Sequence, residues 1–242
     1  MSEPKYPQIT ESIIYALGNE TTKKLNERQE ELERIVWKDG EANLDTEYSK
    51  LSCELCILSW GEMKIKYPQY CEIDITCEIP DINITFKYPG GRKVKHKIEL
   101  KSSKSRRIPG STIKKLDINQ TLIWCLRPSK SSEQYIVKCS QYHNAMGESD
   151  TDLFQDRTPR PFINFNKLNE IDNIVPFMTK EKNDWIPHYA KCALKRIETP
   201  ISQKSWQDDM IKIMKKEIIE EYIRNTPEHQ FQIDKRTLHK TP

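Results

Sequence analysis

The chain has 242 residues, 36% hydrophobic and 31% charged, with a formal net charge of +3. That length suits one substantial domain, or a domain with a helical annex, and the composition is that of a globular protein with a heavily charged surface. No run of 18 apolar residues is present, which excludes a transmembrane helix, and residues 1–10 lack the apolar core of a secretion signal, so a soluble intracellular protein without membrane contact is expected.

Two stretches in the N-terminal third read as helical. A short piece covers residues 12–17, and Thr21 or Thr22 is placed to cap a second helix running to Trp37, with Leu25, Leu32, Ile35 and Val36 as its apolar stripe. Asp39-Gly40 stops it, and a third helix is expected over residues 44–60, burying Leu51, Cys56, Ile57 and Leu58. The period then changes to two. Cys71, Ile73, Ile75, Cys77 and Ile79 alternate with polar residues, Pro80 interrupts the ladder, and Ile82, Ile84, Phe86 and Tyr88 resume it. Pro89-Gly90-Gly91 signals a turn, and the return strand covers residues 93–101. Two further strands, over residues 121–126 and 134–139, form a second hairpin around residues 128–132. Residues 144–161 read as an irregular loop, and a final helix spans residues 205–223, with Ser205 as its cap. These elements divide into an N-terminal helical region (1–65), a core (66–180) and a C-terminal helical region (181–242), expected to pack as one compact domain.

The seven cysteines, at 53, 56, 71, 77, 125, 139 and 192, are odd in number, and with no secretion signal they predict free thiols in a reducing compartment. Cys53 and Cys56 form a CxxC, and His188 and Cys192 lie four apart. A zinc site would require such pairs to converge, whereas the apolar surroundings of the first pair predict buried core thiols.

Charge is unevenly distributed. Residues 87–115 hold eleven Lys or Arg and one acid, Glu99, a local charge of +10 against −7 for the remainder. Such a field suits a phosphate backbone. If the first hairpin pairs about Gly90, Lys87 faces Lys93, Thr85 faces Lys95, Asn83 faces Lys97 and Asp81 faces Glu99. Residues directly opposite lie about 5 Å apart on one face, and Lys101, two positions on, shares it. A one-residue slip would dismantle the arrangement. Two adjacent carboxylates repel, and a divalent cation relieves that repulsion; magnesium takes one or two carboxylates together with water and substrate phosphate.

Pro80-Asp81, a seventeen-residue gap and Glu99-Leu100-Lys101 resemble the motif of the PD-(D/E)XK nucleases. The likeness covers residues 47–141. Ser102-Ser103 with the basic loop, and Pro109-Gly110-Ser111-Thr112-Ile113 leading to Leu116-Asp117, are similar to the type II restriction endonuclease branch. The resemblance implies an α+β (α/β-like) fold, a restriction-endonuclease-like central mixed sheet flanked by helices. It implies magnesium, with manganese as a substitute, held by Asp81, Glu99 and the Leu100 carbonyl, and Lys101 positioning the hydrolytic water. An early-helix acid, Glu54 or Glu47, would complete the site, and Asp74 is an alternative to Asp81. The implied activity is hydrolysis of double-stranded DNA to 5′-phosphate ends, by a homodimer matched to a palindromic site.

By position and charge, Lys104, Arg106, Arg107, Ser111, Thr112, Lys114, Lys115, Arg157 and Arg160 are the expected DNA contacts. Trp124, Tyr135, Tyr142 and Trp185 are expected to serve core packing before base stacking, and His143 to be a surface residue. Two other functions fit the same residues: a junction-resolving, recombination or repair nuclease, and a catalytically silent nucleic-acid-binding module.

Overall fold

A computed structural model describes residues 6–37, 46–67, 72–78, 81–111, 117–130, 133–152, 160–168 and 206–225. The chain is α+β and divides into two compact units, Met1–Ala193 and Leu194–Pro242. The first opens with α1 (Tyr6–Glu27), α2 (Gln29–Arg34) and α3 (Thr46–Met63). Its main sheet contains β1 (Glu72–Glu78), β2 (Asp81–Lys87), β3 (Lys93–Ser103), β5 (Thr121–Leu126) and β6 (Ile136–Gln141), adjacent in that order. The sheet is mixed: β3 and β5 run parallel, and the other neighbours are antiparallel. A smaller sheet holds β4 (Arg107–Pro109), β8 (Arg160–Asn164) and β7 (Met146–Asp152), the last preceded by the single turn α4 (Tyr142–Ala145). The second unit contributes α5 (Trp206–Asn225).

Alternation along the strands separates two apolar layers. Ile82, Ile84, Phe86, Ile98, Leu100, Ile123, Cys125, Val137 and Cys139 face the helices, packing with Ile13, Leu17 and Leu25 of α1 and with Cys53, Leu55 and Cys56 of α3. On the opposite face Leu122, Trp124 and Leu126 of β5 pack with Tyr142, Ala145, Ile163, Phe165 and Leu168. Trp124 meets Phe165 edge-on at 5.5 Å and donates from Nε1 to Ser103 Oγ at 3.0 Å. α1 and α3 therefore cover one face of the main sheet, and the small sheet covers part of the other.

The first hairpin has the register expected of it: Lys87 pairs with Lys93, Thr85 with Lys95, and Asn83 with Lys97. Gly90 and Gly91 set it by adopting φ of 82° and 83°, a region open to glycine at little cost. The edge strand β6 is closed by side chains. Asn26 accepts from Val137 N at 2.8 Å and donates to Val137 O at 2.9 Å, and Gln29 makes the same pair of bonds with Tyr135, both at 2.9 Å. These amides occupy the place of a further strand and block edge-to-edge pairing.

Three expectations are corrected. Thr21 and Thr22 do not cap a helix. They lie inside α1 and donate to the carbonyls of Leu17 and Gly18 at 2.7 and 2.8 Å, and the helix breaks at Arg28 instead. Residues 144–161 are not one irregular loop, because β7 and the start of β8 lie there, paired antiparallel. The cysteines are not all free thiols: Cys53 of α3 and Cys77 of β1 form a disulfide with Cα atoms 6.0 Å apart. Cys77 sits on the helix-facing side of the outermost strand, which brings it over Cys53. Cys56, the other half of the CxxC, is buried and free, and burial pushes its thiol up to about 12. Trp124 and Tyr142 are core residues, as expected. No helix among the described residues is long and apolar enough to cross a membrane.

His96 points into the helix-side layer from β3, its Nε2 2.8 Å from Thr121 Oγ1, and burial pushes its pKa down to about 4 against an opposing effect of Asp117. The unfolded chain takes up this proton near pH 6.5 and the folded chain only near 4, so stability present above pH 6.5 drains away as pH falls through that window. Allowing for partial exposure of the ring, the loss is roughly 2 kcal/mol, and urea unfolding from pH 7 to 4 should show it in the wild type and a flatter profile in His96→Gln.

The disulfide closes a loop with a sequence separation of 24. Its removal is expected to cost about 3 kcal/mol. Urea midpoints of wild type, reduced wild type and Cys77→Ser measure this; coincident midpoints would show that the cross-link contributes nothing.

Candidate active site

β2 begins with Asp81, and extending the β2–β3 register by one pair beyond Ile82 and Ile98 sets Asp81 opposite Glu99. Both project from the face opposite the helices, as does Lys101. Asp81 Oδ2 lies 2.6 Å from Lys97 Nζ, and Glu99 Oε1 lies 2.7 Å from Lys101 Nζ. Two acids and two lysines thus alternate across the hairpin. Burial raises the pKa of Asp81, aided by Glu99 and opposed by Lys97 and Lys101. Burial pushes Glu99 the same way, but Lys101, Ser111 and Lys97 outweigh it and hold this carboxyl below its ordinary value. Glu99 is 3% exposed and remains ionised because its neighbours compensate the lost water.

The second Glu99 oxygen is occupied as well. Ser111 Oγ donates to Oε1, and Gln120 Nε2 donates to Oε2 in a short contact. Ser111 reaches the acid through a chain of backbone contacts. β4 pairs with β8, Gly110 N donates to Pro161 O at 2.8 Å, and Ser111 N donates to Tyr142 Oη at 2.6 Å. Gly110 is required there, since a Cβ would stand 2.2 Å from Tyr142 Oη and 2.8 Å from Pro161 O. Gln120 is held by its backbone, which accepts from Tyr142 N at 2.9 Å. Sequence reasoning assigned Ser111 to DNA and missed Gln120 altogether; a polar residue just before a largely apolar strand was the one available signal.

The other expected residues are distributed differently. Asp74 does not join the acids: on β1 it pairs across from Thr85 and lies 2.6 Å from Lys87 Nζ, toward the turn end of the hairpin. Glu54 and Glu47 do not complete the site either. Both belong to α3, which packs on the opposite face of the sheet, where Glu54 is exposed and Glu47 Oε2 accepts from Val36 N at 3.1 Å. Leu100 lies opposite Ile123 in the β3–β5 ladder with its side chain in the helix-side layer. Lys104, Arg106 and Arg107 are exposed beyond β3; Arg106 donates to Asn166 Oδ1 at 2.8 Å, and Arg107 lies 4.4 Å over the Phe162 ring. Arg160 opens β8 opposite Asp152. His143 is partly buried, with Nδ1 3.2 Å from Ile118 O. Thr112, Lys114, Lys115, Arg157, Trp185, His188 and Cys192 fall outside the described residues.

No family model, curated protein or solved structure matches this chain. Its chemistry is therefore argued from its own side chains.

Among the described residues no three His, Cys, Asp or Glu side chains converge as a metal-holding group. Asp81 and Glu99 stand across from each other on one face of the hairpin, each turned to a lysine, and magnesium takes no more than one or two carboxylates when waters and a substrate phosphate complete its shell. The donors are all hard oxygens, and the buried Gln120 Oε1 beside Glu99 has no hydrogen-bond partner among the described residues. The residues present fit a small divalent cation, which would compete with Lys97 and Lys101 for the two acids.

Gly110→Ala is expected to destabilise the protein by roughly 2 kcal/mol through overpacking against Tyr142 and Pro161. Urea unfolding measures the loss, and an unchanged midpoint would show that this crossing relaxes freely.

Proposed function

We propose that the protein is a magnesium-dependent endonuclease that hydrolyses DNA phosphodiester bonds, with a restriction-endonuclease-like fold and the PD-(D/E)XK arrangement of Asp81, Glu99 and Lys101. The observation that carries the reading is the placement of those three side chains on one face of the β2–β3 hairpin, with Lys101 Nζ 2.7 Å from Glu99. Asp81 and Glu99 would hold the cation, whose contribution is Lewis-acid stabilisation of charge developing on the phosphate. Lys101 is set to orient the attacking water and to offset that charge. Ser111 and Gln120 fix the Glu99 carboxylate, and Lys97 favours the ionised form of Asp81 against the effect of burial, a place the cation would take. Burial of Glu99 at 3% exposure lowers the local dielectric and strengthens each of these interactions.

The substrate follows from charge. The exposed Lys104, Arg106 and Arg107 continue from β3, beyond Lys101, as a basic flank for a phosphate backbone. Within this reading the protein acts on double-stranded DNA as a homodimer of the type II restriction kind, because a palindromic site calls for twofold symmetry. One observation favours a second reading. Each acid already has a lysine partner, and a set neutralised in this way also suits a silent nucleic-acid-binding module.

Cleavage separates the two. Plasmid DNA incubated with the protein and magnesium should give discrete fragments, and chelation should abolish them. Lys101→Ala and Glu99→Gln should each lower the cleavage rate by at least about 100-fold, with DNA affinity nearly retained in Lys101→Ala. Binding without cleavage in magnesium and in manganese would establish the silent module.

A further inference from the structure

Gln120 is 1% exposed, and among the described residues only one end of its amide is hydrogen-bonded. Nε2 donates to Glu99 Oε2, while Oε1 has no hydrogen-bond partner among the described residues. A buried amide oxygen left without a partner carries an uncompensated desolvation cost, so its retention beside the buried acid calls for a reason. Turning the amide by half a turn about its last torsion would exchange the two ends. Oε1 would then face the Glu99 carboxylate, an oxygen-to-oxygen contact that is repulsive unless a cation lies between them. A side-chain amide oxygen is a hard neutral donor of the kind that magnesium, manganese and calcium accept.

We infer that Gln120 is a further ligand of the cation site: its amide caps Glu99 in the metal-free protein and rotates to present Oε1 when a divalent cation binds. The inference rests on the cation-dependent reading above and supplies the ligand that the early helix cannot. Glu47 and Glu54 are kept away by their place on the other side of the sheet, whereas Gln120 stands at the mouth of β5, directly beside β3. Its backbone is anchored on both sides, with N donating to Asp117 O at 3.3 Å and O accepting from Tyr142 N at 2.9 Å, so the side chain turns without moving the main chain. The Gln120 oxygen adds no charge, which suits a pocket where two lysines already balance two acids.

Calorimetric titration of the full-length protein with manganese, without DNA, tests the assignment. Wild type should bind the ion, and Gln120→Ala should bind it at least about 10-fold more weakly, with its fold checked by urea unfolding. Crystals of the wild type soaked in manganese supply a readout that holds even if the variant fails to fold: anomalous density should place the ion within direct bonding distance of Gln120 Oε1. An ion bound by Asp81 and Glu99 with Gln120 Nε2 still turned to the acid, or unchanged affinity in Gln120→Ala, would overturn the ligand role and leave the nuclease reading intact. No manganese binding by wild type would remove both.

Discussion

A buried ionised carboxylate organises this molecule. Moving a charge from water to an apolar interior costs several kcal/mol, and Glu99 is tolerated because each oxygen meets a donor: Lys101 and Ser111 on one side and Gln120 on the other. Each donor comes from a different part of the chain. Lys101 shares β3, Ser111 follows the strand that joins the small sheet, and Gln120 precedes β5. Satisfying one acid thus requires the β3–β5 crossover, the β4–β8 pairing and the Tyr142 anchor to form together. Loss of any one would leave a buried charge partly unpaired.

The two faces of the main sheet divide the labour. The helix side is a continuous apolar layer in which α1 and α3 pack, with a disulfide joining α3 to the outermost strand. The opposite side is apolar only over β5, where the small sheet rests, and is polar over β2 and β3. The acids and lysines stand at the border between these zones. That position removes most of the water from Glu99 while leaving Asp81 and Lys97 partly accessible.

Much of this site was legible in the order of residues. Period-two alternation on both sides of Pro89-Gly90-Gly91 defines two strands and a tight turn, and side-chain alternation then dictates which residues share a face. The register that joins Asp81 to Glu99 follows from those local facts. The partners of Glu99 were not legible, since Ser111 and Gln120 reach it through the parallel ladder and the small sheet. Residues 144–161 carried no alternation strong enough to mark a strand, yet they pair because β8 finds β4 in space. Thr21 and Thr22 misled because a hydroxyl bonds equally well to a carbonyl one turn back as to an exposed amide.

Local pattern alone determined the succession of helices and strands, the two hairpins and the common face of Asp81, Glu99 and Lys101, because each depends on neighbours within about 20 residues and on the fixed periods of helix and strand. Tertiary structure decided which face the helices cover, and so which acids are excluded from the site. It also decided that Cys53 meets Cys77, that Gly110 must admit Tyr142, and that Gln120 stands beside Glu99. Those contacts join segments whose proximity depends on how sheet and helices close around a shared apolar layer, a property of the assembled chain that no local period encodes.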